Sequence, residues 1–237
     1  MKTCVVTNRK GGVGKTTLAL HLAAAGVDAG RNTLLVDLDP QASASSVVVP
    51  DGGAGLAENL WDDEALVQPT RTAWGFDVLV ASPALSGAET LSLEETLAAL
   101  RRFPGGYDLI VFDTPPYFGT LQTAPLLLAD VLIAPVEPDV FALQGLKIMQ
   151  SVVDSLRPRN PALQLRVVAN RLKKRSVGQM QTVAAMQAAL RSSFVGPGLA
   201  EREGVRQARD AGKPVWRFAK KEPYAQDWKR VCDTLIA

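Results

Sequence analysis

A chain of 237 residues that is 47% apolar and 21% charged can bury a full core and is too apolar to stay disordered. No apolar run approaches the ~20 residues that span a bilayer, and two distant cysteines, Cys4 and Cys232, exclude a disulfide scaffold or a cluster of paired thiolates. The formal net charge of +2 conceals a division, because residues 1–156 hold 9 Lys+Arg against 18 Asp+Glu while residues 157–237 hold 17 against 6. Such segregation fits either a cationic surface that meets a polyanion or an ordinary solvated basic face.

In chain order, apolar runs at 3–7, 33–37, 77–81, 108–112, 130–135 and 163–169 read as strands. Helical spacing predicts helices over 15–29, 92–102, 119–128, 140–156, 177–192 and 223–236. Runs as continuously apolar as Leu109-Ile110-Val111-Phe112 suit a parallel sheet covered on both faces. The alternation predicts a doubly wound, mostly parallel α/β fold with its ligand at the C-terminal strand edge. Pro50–Gly55 reads as a surface loop, so residues 1–237 are expected to form one domain with a basic C-terminal third, 157–237. A strand directly after Met1-Lys2 predicts no secretory leader and a cytoplasmic setting.

Between the first strand and helix lies Lys10-Gly11-Gly12-Val13-Gly14-Lys15-Thr16-Thr17. A glycine turn opening a helix aims successive N–H groups at one point, at the positive end of the helix dipole, which makes a phosphate cradle. Lys15 is placed for the β- and γ-phosphates of ATP and the Thr16 hydroxyl for Mg²⁺. The general pattern wants glycine where Arg9 stands; instead a second lysine, Lys10, directly precedes the glycine pair. Two lysines here repel each other unless an anion lies between them. The segment resembles the deviant Walker A motif of the ParA/MinD family of ATPases, and similarity to that family runs from Thr3 to about Pro214.

The second strand ends in Asp37-Leu38-Asp39-Pro40-Gln41, two carboxylates on one face. The resemblance makes Asp39 the residue that positions the attacking water and Asp37 a supporting acid near the Mg²⁺, and Pro40-Gln41 favours the ParA branch. Ile110-Val111-Phe112-Asp113-Thr114-Pro115-Pro116 looks like Walker B, with Asp113 holding the metal and the prolines limiting a switch segment to few conformations. Ala134-Pro135-Val136-Glu137-Pro138-Asp139 reads as a turn and helix start; by resemblance the helix belongs to a dimer face. Asn170 closes the last strand, either as a turn residue or, by resemblance, as an adenine contact.

Arg171-Leu172-Lys173-Lys174-Arg175 is the densest basic cluster, and Glu201–Val215 is similar to the family region that borders the base and supplies DNA-contacting arginines. Arg171, Lys173, Lys174, Arg175, Arg202 and Lys229 are therefore the candidate DNA contacts. His21 is expected to be a packed helix residue without a pairing group, and Trp61, Trp74, Trp216 and Trp228 to pack.

The family resemblance implies a slow, partner-stimulated ATPase without an N-terminal helix-turn-helix. ATP with Mg²⁺ joins two subunits into a homodimer, and Lys10 of each reaches the other's phosphates. The dimer binds double-stranded DNA non-specifically on the nucleoid and releases it on hydrolysis, segregating plasmid or chromosomal DNA with a ParB-like adaptor. A protein cargo or compartment is the alternative. A MinD-like membrane cycle needs an amphipathic C-terminal anchor, for which Trp228–Ala237 has few apolar residues. An interfacial iron–sulfur carrier needs paired cysteines, which are missing. A non-enzymatic DNA-binding module is opposed by the intact Lys15, Thr16, Asp39 and Asp113.

Overall fold

The computed structural model describes all 237 residues, arranged around a seven-stranded sheet. The strands are β1 (Lys2–Val6), β2 (Thr33–Asp37), β3 (Thr70–Arg71), β4 (Asp77–Leu79), β5 (Leu109–Asp113), β6 (Val131–Val136) and β7 (Gln164–Ala169). Their spatial order is β3-β4-β2-β5-β1-β6-β7, parallel throughout except for the β3–β4 pair. The helices are α1 (Lys15–Asp28), α2 (Ser43–Val48), α3 (Leu93–Leu100), α4 (Thr120–Leu128), α5 (Ala142–Leu156), α6 (Val177–Leu190), α7 (Glu203–Asp210), α8 (Val215–Phe218) and α9 (Pro223–Ile236).

The alternation of side chains along each strand feeds two separate cores. Val5, Leu34, Val36, Ile110 and Phe112 face the layer of α3, α4, α5 and α6. Cys4, Val6, Leu35, Val111 and Ile133 face α1, α2, α8 and α9. Helices on both faces make the sheet doubly wound, as the alternation of apolar runs predicts. α5 buries Ala142, Leu146, Met149, Val153 and Leu156, a helical stripe on one side only. α1 is buried nearly all round, because the sheet lies on one side and α9 on the other. α9 spends its apolar face, Trp228, Val231, Cys232, Leu235 and Ile236, inside that core and so offers none of it to a lipid surface. No helix is long and apolar enough to cross a membrane.

The predicted elements are present with small shifts at their ends, and Pro50–Gly55 contains no helix or regular strand. β5 includes Asp113, so this acid sits in the strand and not after it; it pairs in register with Val6 on one side and Asp37 on the other. Three short helices (α2, α7, α8), the two-residue β3 and 3-10 turns at Ala57–Trp61 and Pro83–Thr90 have no counterpart in the sequence reading. β3, α2, α8 and the 3-10 turn at Ala57–Trp61 are too short to show a period, the Pro83–Thr90 turn is not α-helical, and α7 buries only Ala208 and so carries no apolar stripe. The chain starts at the centre of the sheet, fills one half, then returns through β5 to cross to β6. The crevice beyond β1 and β5 is therefore the switch point of the topology, where this class of sheet receives ligands.

Candidate active site

The turn between β1 and α1 holds Gly12 and Gly14 at φ of 74° and 93°, left-handed values that favour glycine. A Cβ on Gly14 collides with the Asn170 amide, which donates to Val13 O at 2.7 Å and pins the loop to the end of β7. No side chain caps α1 and no acid stands in its first turn, so its leading N–H groups remain open to an external anion. Ala42, which starts α2, and Arg171, which follows Asn170, are non-glycine residues at positive φ flanking the site.

Beside the turn lies a polar cavity of about 330 Å³ walled by the glycines, Lys15, Thr16, Thr17, Asp39 and Pro116. Lys15 is buried, and loss of solvent lowers its pKa against the opposing pull of Asp113 and Asp39. Asp113 is fully buried and neither carboxylate oxygen accepts a hydrogen bond. Burial, reinforced by the neighbouring Asp37, pushes its pKa well up; the Thr16 hydroxyl is near enough to oppose this without reaching hydrogen-bonding geometry. A buried carboxylate with two orphaned oxygens beside a hydroxyl and an ammonium is an oxygen donor set that suits a hard divalent cation. The residues present fit Mg²⁺ and a polyphosphate.

The two acids of β2 have different surroundings. Asp37 Oδ1 accepts from Asp39 N (3.1 Å), and Oδ2 accepts from Ser45 N (2.9 Å) and Ser45 Oγ (2.6 Å). It fastens α2, and burial raises its pKa to about 6. Asp39 accepts from Gln41 N at 3.0 Å and leaves its other oxygen unpartnered in a residue that lines the cavity. Thr114, after the Walker B-like strand, donates to Val6 O at 3.0 Å, and the loop beyond it ends where Glu89 accepts from Thr120 N (2.9 Å) and Leu121 N (3.3 Å). Arg9, in the position of the missing glycine, stacks over Phe118 of that loop at 5.1 Å.

Lys10 points away from its own cavity. Its ammonium meets Asp139 at 2.6 Å and Glu137 at 3.2 Å, and the bond to Asp139 raises its pKa. The repulsion between the two lysines is thus relieved by an acid pair at the end of β6, with no anion required inside the loop.

A second cavity, of about 410 Å³, continues from Gly12, Gly14 and Thr17 past Asn170 to Glu201, Val205 and Trp228. Asn170 therefore stands where both the glycine turn and this cavity can use it, with Oδ1 and one N–H uncommitted. Glu201, Val205, Trp228 and Arg209 escaped the sequence reading as individual site residues; no spacing links them to the turn, and only the packing of α7 and α9 brings them there.

The six basic candidates separate. Lys173, Lys174, Arg175 and Arg202 line one open cavity with no acid in its wall. Lys173 and Lys174 have only long, exposed pairings, to Glu201 (3.5 Å) and Asp227 (3.4 Å). Arg171 instead turns toward the glycine loop, donating to Gly12 O (3.1 Å) and pairing with Glu201 (2.9 Å). Lys229 is taken up by Asp233 (2.5 Å) within α9 and lies over the Trp216 ring. The structure does not bring these two into the cluster.

His21, expected to lack a pairing group, has two. Its Nδ1 lies 2.7 Å from Thr17 O and Nε2 accepts from Val215 N at 3.1 Å, which defines the neutral Nδ1–H tautomer. Trp74, Trp216 and Trp228 surround it at centroid distances of 5.7, 5.3 and 4.6 Å, and burial lowers its pKa to about 4.

A family model described as an AAA domain matches residues 1–165. The Soj chromosome-partitioning ATPase of Thermus thermophilus is 31% identical over 243 residues, a match covering 100% of this chain and 96% of that protein. This chain belongs to the ParA-type partition ATPases. Among relatives of the ParA type, Protein IncC of Escherichia coli is 30% identical over 229 residues, covering 93% of this chain; the match spans only 64% of the length of IncC. A solved structure of cobyrinic acid a,c-diamide synthase from Mycobacterium smegmatis, with bound ATP analogue and magnesium, superposes with a TM-score of 0.81 at 26% identity over 100% of this chain and 94% of that one. Residues 166–237, with most of the basic third, lie beyond the match to the AAA-domain model.

Proposed function

We propose that the protein hydrolyses ATP with Mg²⁺, slowly and under stimulation by an adaptor of the ParB kind, and that ATP joins two copies that bind double-stranded DNA without sequence preference. Hydrolysis then frees the DNA, so that plasmid or chromosomal DNA is moved along the nucleoid in the cytoplasm. In this reading residues 1–237 act as one unit.

The observation that carries this reading is the fully buried, unpartnered Asp113 beside Lys15 and Thr16, at the head of a helix left uncapped for an anion. Mg²⁺ held by Thr16 and Asp113 supplies charge neutralisation for phosphoryl transfer. Lys15 and the N–H groups of Gly11–Thr17 bind the phosphates, and Asp39 orients the attacking water with its free oxygen. The ATP analogue and magnesium in the Mycobacterium smegmatis structure support this ligand class. The activity named for that protein is not carried over, because Soj matches at higher identity and over nearly its whole length.

A second copy is the partner that the neighbouring groove suits. Lys10 lies in a cavity of about 420 Å³ bordered by Val136, Phe141, Ile148 and Met149. Around it Val140 is 87% and Phe141 68% exposed, with Tyr117, Phe118 and Leu143 also presented. An apolar rim around a half-exposed lysine held by two half-buried acids suits a surface that closes over a second phosphate site. There Lys10 supplies the charge that an arginine finger supplies elsewhere. Two copies bring two clusters of Lys173, Lys174, Arg175 and Arg202 to one duplex, which makes affinity steep in dimerisation and in salt.

Sedimentation of the wild type and of Lys10→Ala with Mg²⁺-ATP tests the pairing. The wild type is expected to dimerise and Lys10→Ala to bind ATP yet stay monomeric. A Lys10→Ala variant that dimerises equally well refutes the cross-subunit lysine.

A further inference from the structure

Of the side chains that wall the cavity beside the glycine turn, one alone comes from the last third of the chain: Arg209, near the C-terminal end of α7. The same residue also lines the cavity that runs past Asn170 to Trp228, so it stands where the two spaces meet. A nucleotide with its base in the larger space and its phosphates at the turn passes this point. Within a single copy, Lys15 and Arg209 are the cations of the phosphate cavity, since Lys10 lines the neighbouring groove and is held there by Asp139 and Glu137.

Arg209 is available for such a contact. Its only ionic partner is its chain neighbour Asp210, whose single Oδ1 receives both Nε (3.1 Å) and Nη2 (2.8 Å). The two side chains are 42% and 59% exposed, so the pair is weakly held and readily exchanged for a phosphate. The guanidinium fork matches phosphate oxygens in a way that an ammonium does not. α7 itself is lightly anchored: among its eight residues only Ala208 is buried.

We propose that Arg209 binds the phosphates of the nucleotide held by its own subunit and thereby docks α7 against that nucleotide. The proposal rests on the nucleotide reading above. It gives the basic third a direct contact with the ligand, because the opposite end of α7 follows directly on Arg202, a wall residue of the basic cluster.

Calorimetric titration of the full chain with Mg²⁺-ADP and, separately, with adenosine tests it in wild type, Arg209→Gln and Arg209→Lys. Loss of a charged hydrogen bond predicts ADP binding weakened by roughly 10- to 100-fold in Arg209→Gln, with adenosine unchanged and Arg209→Lys intermediate. Hydrogen exchange of residues 203–210 is expected to slow on adding ADP to the wild type and not to saturated Arg209→Gln. ADP affinity within twofold of wild type, or an equal loss for adenosine, overturns the phosphate contact; α7 exchange that slows equally in both proteins overturns the docking. A wild type that binds no ADP overturns the nucleotide reading itself, which the other outcomes leave intact. The substituted side chain is exposed, so thermal melting of the variants is expected to match the wild type.

Discussion

The nucleotide edge and the basic last third are held in place by different kinds of contact. At the edge, backbone geometry dominates: left-handed glycines, parallel register from Val6 to Asp113 to Asp37, and an uncapped helix. In the last third, side chains tie α8 and α9 to α1 and to the turn that follows it. Trp216 Nε1 and Arg217 both donate to Asp28, Arg31 donates to Ile236 O at 2.6 Å, and Val215 N donates to His21. An arrangement set by backbone demands particular residues at fixed spacing. One set by side-chain ties needs only that partners meet in space, and it leaves no pattern along the chain.

The largest test of that contrast is Lys15→Met. Removing the one buried cation from a phosphate site is expected to weaken ATP binding by about 3–5 kcal/mol, measured by calorimetry. Because burial disfavours the Lys15 charge in the empty protein, thermal stability without ligand is expected to be equal or higher. Retained ATP binding breaks the assignment of the turn.

Next comes the tie between α1 and α8. His21 is neutral in the fold with a pKa near 4 against an unfolded value of 6.5, so its contribution is intact above pH 6.5 and lost as pH falls toward 4. The loss amounts to about 3 kcal/mol by linkage. Asp37 acts in the opposite sense: its raised pKa of about 6 favours the fold below 3.8 and that gain disappears as pH rises through 6. Urea unfolding of wild type and His21→Gln at several pH values isolates the histidine, since Asp37 is common to both. Equal pH slopes from 6.5 to 4 remove His21 from the tie.

The smallest effect sharpens the basic side. Reversing two charges, Lys173→Glu with Arg175→Glu, is expected to lower DNA affinity about 10-fold or more and, with two copies on one duplex, to reduce the salt slope by about 4. Lys229→Glu is expected to change either far less, because Asp233 already occupies that lysine. Titration of a random duplex with ATP at several salt concentrations checks both; an equal effect of Lys229→Glu dissolves the cluster.

The same contrast decides what was legible beforehand. Six strands, six helices and the run from Lys10 to Thr17 were readable because period and glycine placement are written locally. Asp113 could be placed at its strand end, although its two empty oxygens could not be foreseen. Glu137 and Asp139 stand 127 and 129 residues from Lys10, so nothing local in the sequence shows that two carboxylates, and not an anion in the loop, meet this lysine. α7 and α8 span eight and four residues and carry no long apolar stripe, so the resemblance marks Glu201–Val215 as bordering the base without singling out Arg209 or Glu201. Arg171 belongs to the basic run in sequence and Lys229 joins it only through the family resemblance, and packing separates both from the cluster.

Three of the four indoles in the molecule gather round one imidazole, and one of the three, Trp228, also forms a wall of the space beyond Asn170. Ultraviolet emission from this chain is therefore dominated by a single packed junction between α1 and the tail. A ligand entering that space changes the surroundings of one emitter, while loosening of α8 exposes another. The protein carries its own optical gauge, and no dye is needed to follow either event.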